Sequence, residues 1–134
     1  MWNEYKRENL DAIFQDDIID GCGFEIISLE ALKKSNINGE KKHRSELCSL
    51  YIRENKEQFK IKKVRPNSEL IRKDLRLTVD NPEDLVVCRE LYKEFEFQAP
   101  SFFIEDLVKY LDNHPKLKEL IFPFTEQGYK NMYL

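Results

Sequence analysis

The sequence predicts an α/β domain in which a small mixed sheet carries packed helices. Two patterns support this. Short stretches in which apolar and charged residues alternate suit half-buried strands, and longer stretches with apolar residues three and four apart suit amphipathic helices. Composition permits such a core: of 134 residues, 41% are hydrophobic and 12% aromatic, enough apolar surface to offset the chain entropy lost on folding. That length suits one domain, 1–134.

No element is assigned to residues 1–20, where Asn9-Leu-Asp-Ala-Ile-Phe14 is followed by Asp16, Asp17 and Asp20. A short strand is predicted over 24–27, after which Ser28 offers an N-cap hydroxyl to a helix carrying Leu29, Ala31 and Leu32. Leu47, Leu50 and Tyr51 mark a helix over 44–55. A strand follows over 59–64, ended by Pro66-Asn67, and Leu75-Arg-Leu-Thr-Val79 reads as a second strand of the same sheet. The strongest local signal comes next. Asn81 can cap, Pro82 suits the first helical position, Glu83 and Asp84 complement the positive helix end, and Leu85, Cys88, Leu91 and Phe95 form the expected buried stripe. A last helix is expected from Ser101, burying Ile104, Leu107, Val108 and Leu111 and stopping before Pro115; the aromatic tail after Leu120 is ambiguous.

Several function classes are disfavoured. A formal charge of −3 argues against a dedicated nucleic-acid binder. No apolar run approaches the roughly 18 to 20 residues of a membrane span, and the first residues lack the layout of a signal peptide, so a cytoplasmic protein is expected. Cys22, Cys48 and Cys88 are odd in number and never paired as Cys-x-x-Cys, which indicates neither a disulfide framework nor a zinc site. Cys88 is read as core, and His43 and His114 as solvated loop residues. The cluster Lys33, Lys34, Lys41, Lys42 and Arg44 and the cluster Lys56, Lys60, Lys62, Lys63 and Arg65 alternate with acidic residues, as solvated faces do, although such cations can also form a phosphate or RNA surface. Phe95, Phe97, Phe102, Phe103, Phe122 and Phe124 are many for a small domain to bury alone, which favours a subunit interface and a homodimer.

Asp80 stands at a predicted strand end, just outside a helix start, where ligands bind in open α/β sheets. Two readings are open from the residues alone: a carboxylate that caps the helix, or a ligand for a hard cation such as magnesium.

Arg76-Leu-Thr-Val-Asp-Asn-Pro-Glu-Asp-Leu-Val-Val-Cys-Arg-Glu-Leu-Tyr92 resembles the closing motif of the sugar-activating cytidylyltransferases, in particular the spore coat polysaccharide biosynthesis (SpsF-like) family and the CMP-sugar-acid synthetases. Gly23-Phe-Glu-Ile-Ile-Ser-Leu-Glu-Ala-Leu32 resembles that family's strand and helix after the sugar-binding region, and Arg44-Ser-Glu-Leu-Cys-Ser-Leu-Tyr-Ile-Arg53 its next helix. The family-like region is 21–97, leaving a C-terminal helix and tail over 98–134. The resemblance implies the carboxyl-terminal half of a nucleotidyltransferase related to GT-A glycosyltransferases. Such an enzyme transfers CMP from CTP to a sugar or sugar acid, with magnesium held partly by Asp80. It also makes Glu25 and Arg44 substrate-side contacts. The family's basic phosphate-gripping loop has no counterpart in 1–23, a second metal-binding aspartate is missing, and the aspartate that precedes its Val-Glu-Val strand is Gly23 here. The chain is therefore expected to be incomplete alone and to need an N-terminal-half partner. The alternative is a non-catalytic interaction module, a split subunit or remnant.

Overall fold

The computed structural model describes residues 1–132, with side chains described through residue 126. It is α/β, with a three-stranded mixed sheet and six α-helices among the described residues. These fall into two compact units: residues 1–16 with 24–65, and residues 17–23 with the chain from Pro66 on.

In the first unit β1 (Ala12–Gln15) lies between β2 (Phe24–Ile27), antiparallel, and β3 (Ile61–Lys63), parallel. The unassigned opening thus supplies the central strand. Ala12, Ile13 and Phe14 are all fully buried, and a strand covered on both faces reads as an apolar run without alternation, which hid it from a period-two reading. One face packs Ala12 and Phe14 against Ala31 of α2 (Leu29–Asn38), against Tyr51 and Ile52 of α3 (Leu50–Glu54), and against Phe59. Ser28 caps α2 as its sequence indicates, its hydroxyl accepting from the Ala31 N–H at 3.0 Å. The remaining opening residues form α1 (Trp2–Glu8), which buries none of its own residues and is tied down through Lys62, whose ammonium reaches Glu4 at 2.6 Å and Glu8 at 2.8 Å.

The helix expected over 44–55 shrinks to α3. Arg44 reaches back to the end of α2, donating to the Asn36 side-chain oxygen at 3.1 Å and to its carbonyl at 3.3 Å, so the chain before Ser49 follows α2 in turns. His43, expected in solvent, has a side chain only 6% exposed: Nδ1 accepts from the Glu40 N–H, Nε2 bonds Glu54, and Tyr51 packs edge-on. His114 does lie exposed, stacked on Tyr110.

The second unit buries Ile18, Ile19 and Leu75 with apolar residues of α4 (Pro82–Phe95), α5 (Ile104–Asp112) and α6 (Pro115–Met132). Residues 75–79 do not form the expected strand. Arg76 makes a single parallel bridge to Asp20, with the Leu77 N–H donating to the Asp20 carbonyl at 2.7 Å. The partner segment cannot extend the ladder, because Asp17 (φ 60°) and Gly21 (φ 89°) take left-handed conformations on either side of the bridge. Gly21 is also needed for closeness, since a Cβ there would lie 2.5 Å from the Thr78 nitrogen.

Helix α4 starts where Asn81-Pro82 places it, but its buried side matches the expected stripe only at Leu91 and, in part, Phe95. Asp84, Val87 and Leu91 point inward, whereas Leu85 and Cys88 are exposed and Phe95 packs at the core's margin. Asp84 makes the difference: its carboxylate closes the capping box with Asn81 and pairs with Arg76, which fixes the helix rotation. Helix α5 begins at Ile104, after a turn at 96–98, not at Ser101; it buries Leu107, Val108 and Leu111 and ends before Pro115 as expected. The ambiguous tail is helical, with Pro115 in the first position of α6. Arg72 ties these helices to the loop before them, bonding Asp74 and Asp112 at 2.7 Å each, and Lys118 joins both carboxylates at 3.0 Å. No helix among the described residues is long and apolar enough to cross a membrane.

Two outcomes follow for stability. Phe14→Ala opens a void under the central strand and should cost about 3–5 kcal/mol in urea denaturation. The hydrogen bonds of Arg72, then that of Lys118, hold the Asp112 carboxyl down at about 2. The folded chain then binds fewer protons than the unfolded one, so this contribution is complete above roughly pH 4 and is lost as pH falls toward 2. Asp112→Asn should flatten the stability profile across that window.

Candidate functional site

The residue order Arg76-x-x-x-Asp80-x-x-x-Asp84 puts a cation between two carboxylates where the chain enters α4. The Arg76 side chain is only 4% exposed, and a buried guanidinium is stable only when its charge and donors are matched. It meets Asp84 Oδ1 through Nε at 2.9 Å and Asp80 Oδ2 through Nη2 at 2.8 Å, and Nη1 donates to the Phe124 carbonyl at 2.9 Å. Asp20 Oδ2 lies 3.5 Å from Nη1, beside Gly128, where any side chain would run into it. Three carboxylates thus surround one guanidinium.

They are not equivalent. Asp84 is fully buried, and its Oδ2 accepts from the backbone N–H groups of Asp80 and Asn81, at 3.0 and 2.9 Å, and from the Asn81 amide. Burial alone would raise the Asp84 carboxyl, but these donors and the Arg76 charge hold it below the usual carboxylate range. Asp20 has no such donors at Oδ2, and burial, aided by the charges of Asp80 and Asp84, pushes it up against the pull of Arg76. Asp80 is the outward member, 67% exposed, with its described contacts, from Arg76 and Thr78, both on Oδ2.

The structure divides the three sequence-predicted site residues between the units: Asp80 belongs to the second, Glu25 and Arg44 to the first. Glu25 is engaged by a residue sequence reasoning missed. Arg53 donates to Glu25 Oε2 at 3.0 Å, forks onto both oxygens of Asp16 at 2.9 and 3.0 Å, and stacks over the Phe14 ring at 4.0 Å. Lys63 completes the charge balance on Asp16 at 2.9 Å, and the Cys48 thiol lies 3.9 Å from Glu25 Oε1. Arg44 is exposed and engaged with Asn36. The missed residues, Arg76, Asp84 and Arg53, carry a faint signal: basic or acidic residues standing at positions that apolar spacing would bury.

Among the described residues no three His, Cys, Asp or Glu side chains converge to hold a metal ion. Asp80 offers one outward carboxylate, a donor set that suits magnesium only where phosphate and water oxygens complete the shell. Four lysines of the two basic clusters pair with acids: Lys33 with Glu30, Lys42 with Glu54, Lys62 with Glu4 and Glu8, and Lys63 with Asp16.

No family model matches the chain. An uncharacterized protein of Methanocaldococcus jannaschii is 29% identical over 126 residues, covering 94% of this chain and 51% of that protein. Among solved structures, a cytidylyltransferase from Leptospira borgpetersenii serovar Hardjo-bovis aligns with a TM-score of 0.69 at 24% identity, over 85% of this chain and 48% of that one. The chain shares that fold and spans about half the length of both proteins.

Removing Arg76 leaves Asp84 buried without its cation, so Arg76→Ala should cost about 3–5 kcal/mol in urea denaturation. Asp80→Ala deletes an exposed partner and should cost no more than about 1 kcal/mol, which makes it a clean probe of function.

Proposed function

We propose that this chain is part of a nucleotidyltransferase, a cytidylyltransferase-like protein of cell-surface polysaccharide biosynthesis in which CMP passes from CTP to a sugar or sugar acid. The observation that carries the reading is Asp80. Of the carboxylates around Arg76 it alone is largely exposed, it stands at the entry to α4 within the motif that resembles the family's closing segment, and the chain shares its fold with a cytidylyltransferase. In the reaction a sugar hydroxyl attacks the α-phosphorus and pyrophosphate leaves; magnesium, when bound, neutralises phosphate oxygens. Asp80 is the residue here that would contribute to holding it. Arg76 orients Asp80 through Nη2 at 2.8 Å, a positioning role.

Glu25 and Arg44 are proposed on the sugar side. Both are already engaged within their own unit, Glu25 by Arg53 and Arg44 by Asn36, so any role they have is as preoriented groups. Residues 1–23 form α1 and β1 and supply no loop of the phosphate-gripping form, so the proposed reaction needs that loop from residues other than these. CTP with magnesium should raise the melting temperature of the chain, alone or mixed with a candidate N-terminal half, and Asp80→Ala should abolish the shift. Absence of any shift in both settings would sink the catalytic reading.

A second reading, a non-catalytic docking module or homodimer, is favoured by the exposed aromatic side chains Phe97 (93%), Phe103 and Phe122. Sedimentation should then show a concentration-dependent dimer; a monomer at every concentration would count against self-association.

A further inference from the structure

The second unit carries an apolar cavity of about 310 Å3 that the proposed reaction does not use. Val87, Leu91 and Phe95 of α4 form one wall, and Phe102, Ile104 and Leu107 face them. Cys88, Tyr92 and Phe102 line it and are exposed, so it opens to the surface. Its polar end asks nothing of an occupant, because Arg76 and Asp84 are paired with each other there, Nε to Oδ1 at 2.9 Å and Nη2 to Oδ2 at 3.0 Å. A sugar or nucleotide would lose its hydration against these walls without recovering hydrogen bonds, whereas an apolar group has none to lose. A dry apolar cavity of about 150 Å3 holds benzene, so this one has room for a phenyl ring and the methylene that carries it.

The same patch presents such a ring. Phe97 is 93% exposed, in the turn that follows α4, and stands between Phe95 and Ala99, both of which line the cavity. At that exposure its ring lies outside its own chain's cavity. A twofold contact between two copies sets a patch against itself, so every contact of one residue with another is made a second time in reverse. A patch that docks in this way must hold both the group that inserts and the space that receives it, whereas a partner of another kind would need only the space. Leu85, Cys88 and Tyr92, spaced i, i+3 and i+7 on the exposed side of α4, extend the apolar area beyond the cavity mouth, as the desolvated centre of an interface requires.

We propose that two copies of this chain associate about a twofold axis through this patch, the Phe97 ring of each seated in the cavity of the other against Phe95, Phe102 and Leu107. The proposal rests on the homodimer reading and adds to it the inserted residue, the space that receives it and the symmetry.

The cysteines provide the readout. Cys88 lines the cavity and is exposed, whereas Cys48 is exposed in the other unit, so the first reports on the covered surface and the second serves as a control. Cys22 also lines the cavity, but burial pushes its thiol up to about 11, so it stays protonated and alkylates slowly near pH 8. As rising concentration converts monomer to dimer in sedimentation, alkylation of Cys88 in the full chain should slow roughly fivefold, with Cys48 unchanged. Phe97→Ser removes the ring from an exposed position, and Cys88→Trp plugs the cavity mouth; each should weaken the dimer roughly tenfold or more. Mixing the two variants should restore association between one copy of each, because the first keeps the cavity and the second keeps the ring. A chain that is monomeric at every concentration overturns the homodimer reading and this proposal with it. A dimer in which Cys88 reacts as fast as in the monomer, or which Phe97→Ser leaves intact, overturns the proposal alone. These two measurements decide it even where Cys88→Trp does not fold.

Discussion

A buried guanidinium governs the second unit. A guanidinium carries a fixed positive charge, so once one is buried the chain around it must supply negative charge and hydrogen-bond acceptors. It does so from three sequence-distant places: Asp20, the start of α4 with Asp80 and Asp84, and the Phe124 carbonyl of α6. The backbone conforms to this cluster. Gly21 lets residues 77 and 78 come close beside Asp20, and Gly128 leaves room for the Asp20 carboxylate.

The rotation of α4 follows from the same constraint. With Asp84 turned inward, Val87 and Leu91 follow at helical spacing and make the core. Leu85, Val86, Cys88 and Tyr92 are left on the exposed side. The carboxylate that secures the helix therefore also decides that Cys88 faces outward. A single turn of chain separates two carboxylates of different character: Asp84 is committed to caps and ion pairing, while Asp80 is exposed and costs little to change.

The first unit solves a comparable problem with Arg53. Its guanidinium forks onto Asp16, reaches Glu25 and lies over Phe14, so the charge sits against the central strand's largest side chain and is matched on its open edges. Glu25 is thereby held by its own unit before any substrate arrives. Of the residues that resemblance brought forward, it is thus tied to architecture more closely than Asp80.

The readable parts of the sequence were those whose cause is local. Ser28 before α2 and Asn81-Pro82 before α4 declare helix starts because capping involves groups within three or four residues, and Phe24–Ile27 shows its strand directly. The fold class followed from these, and the outward aspartate at the α4 entry was legible as a candidate because strand-end and helix-start signals converge on it. Tertiary structure alone decided the rest. A strand buried on both faces has no alternation to read, so β1 was silent. A stripe chosen by hydrophobicity cannot anticipate that a carboxylate, Asp84, faces inward because a distant guanidinium requires it. And the alternation at 75–79 gives no sheet strand, because the chain it meets at Asp20 bends through left-handed residues on both sides. Local chemistry specified where elements begin; long-range charge pairing and the partner strand's backbone determined which faces are buried and which residues meet.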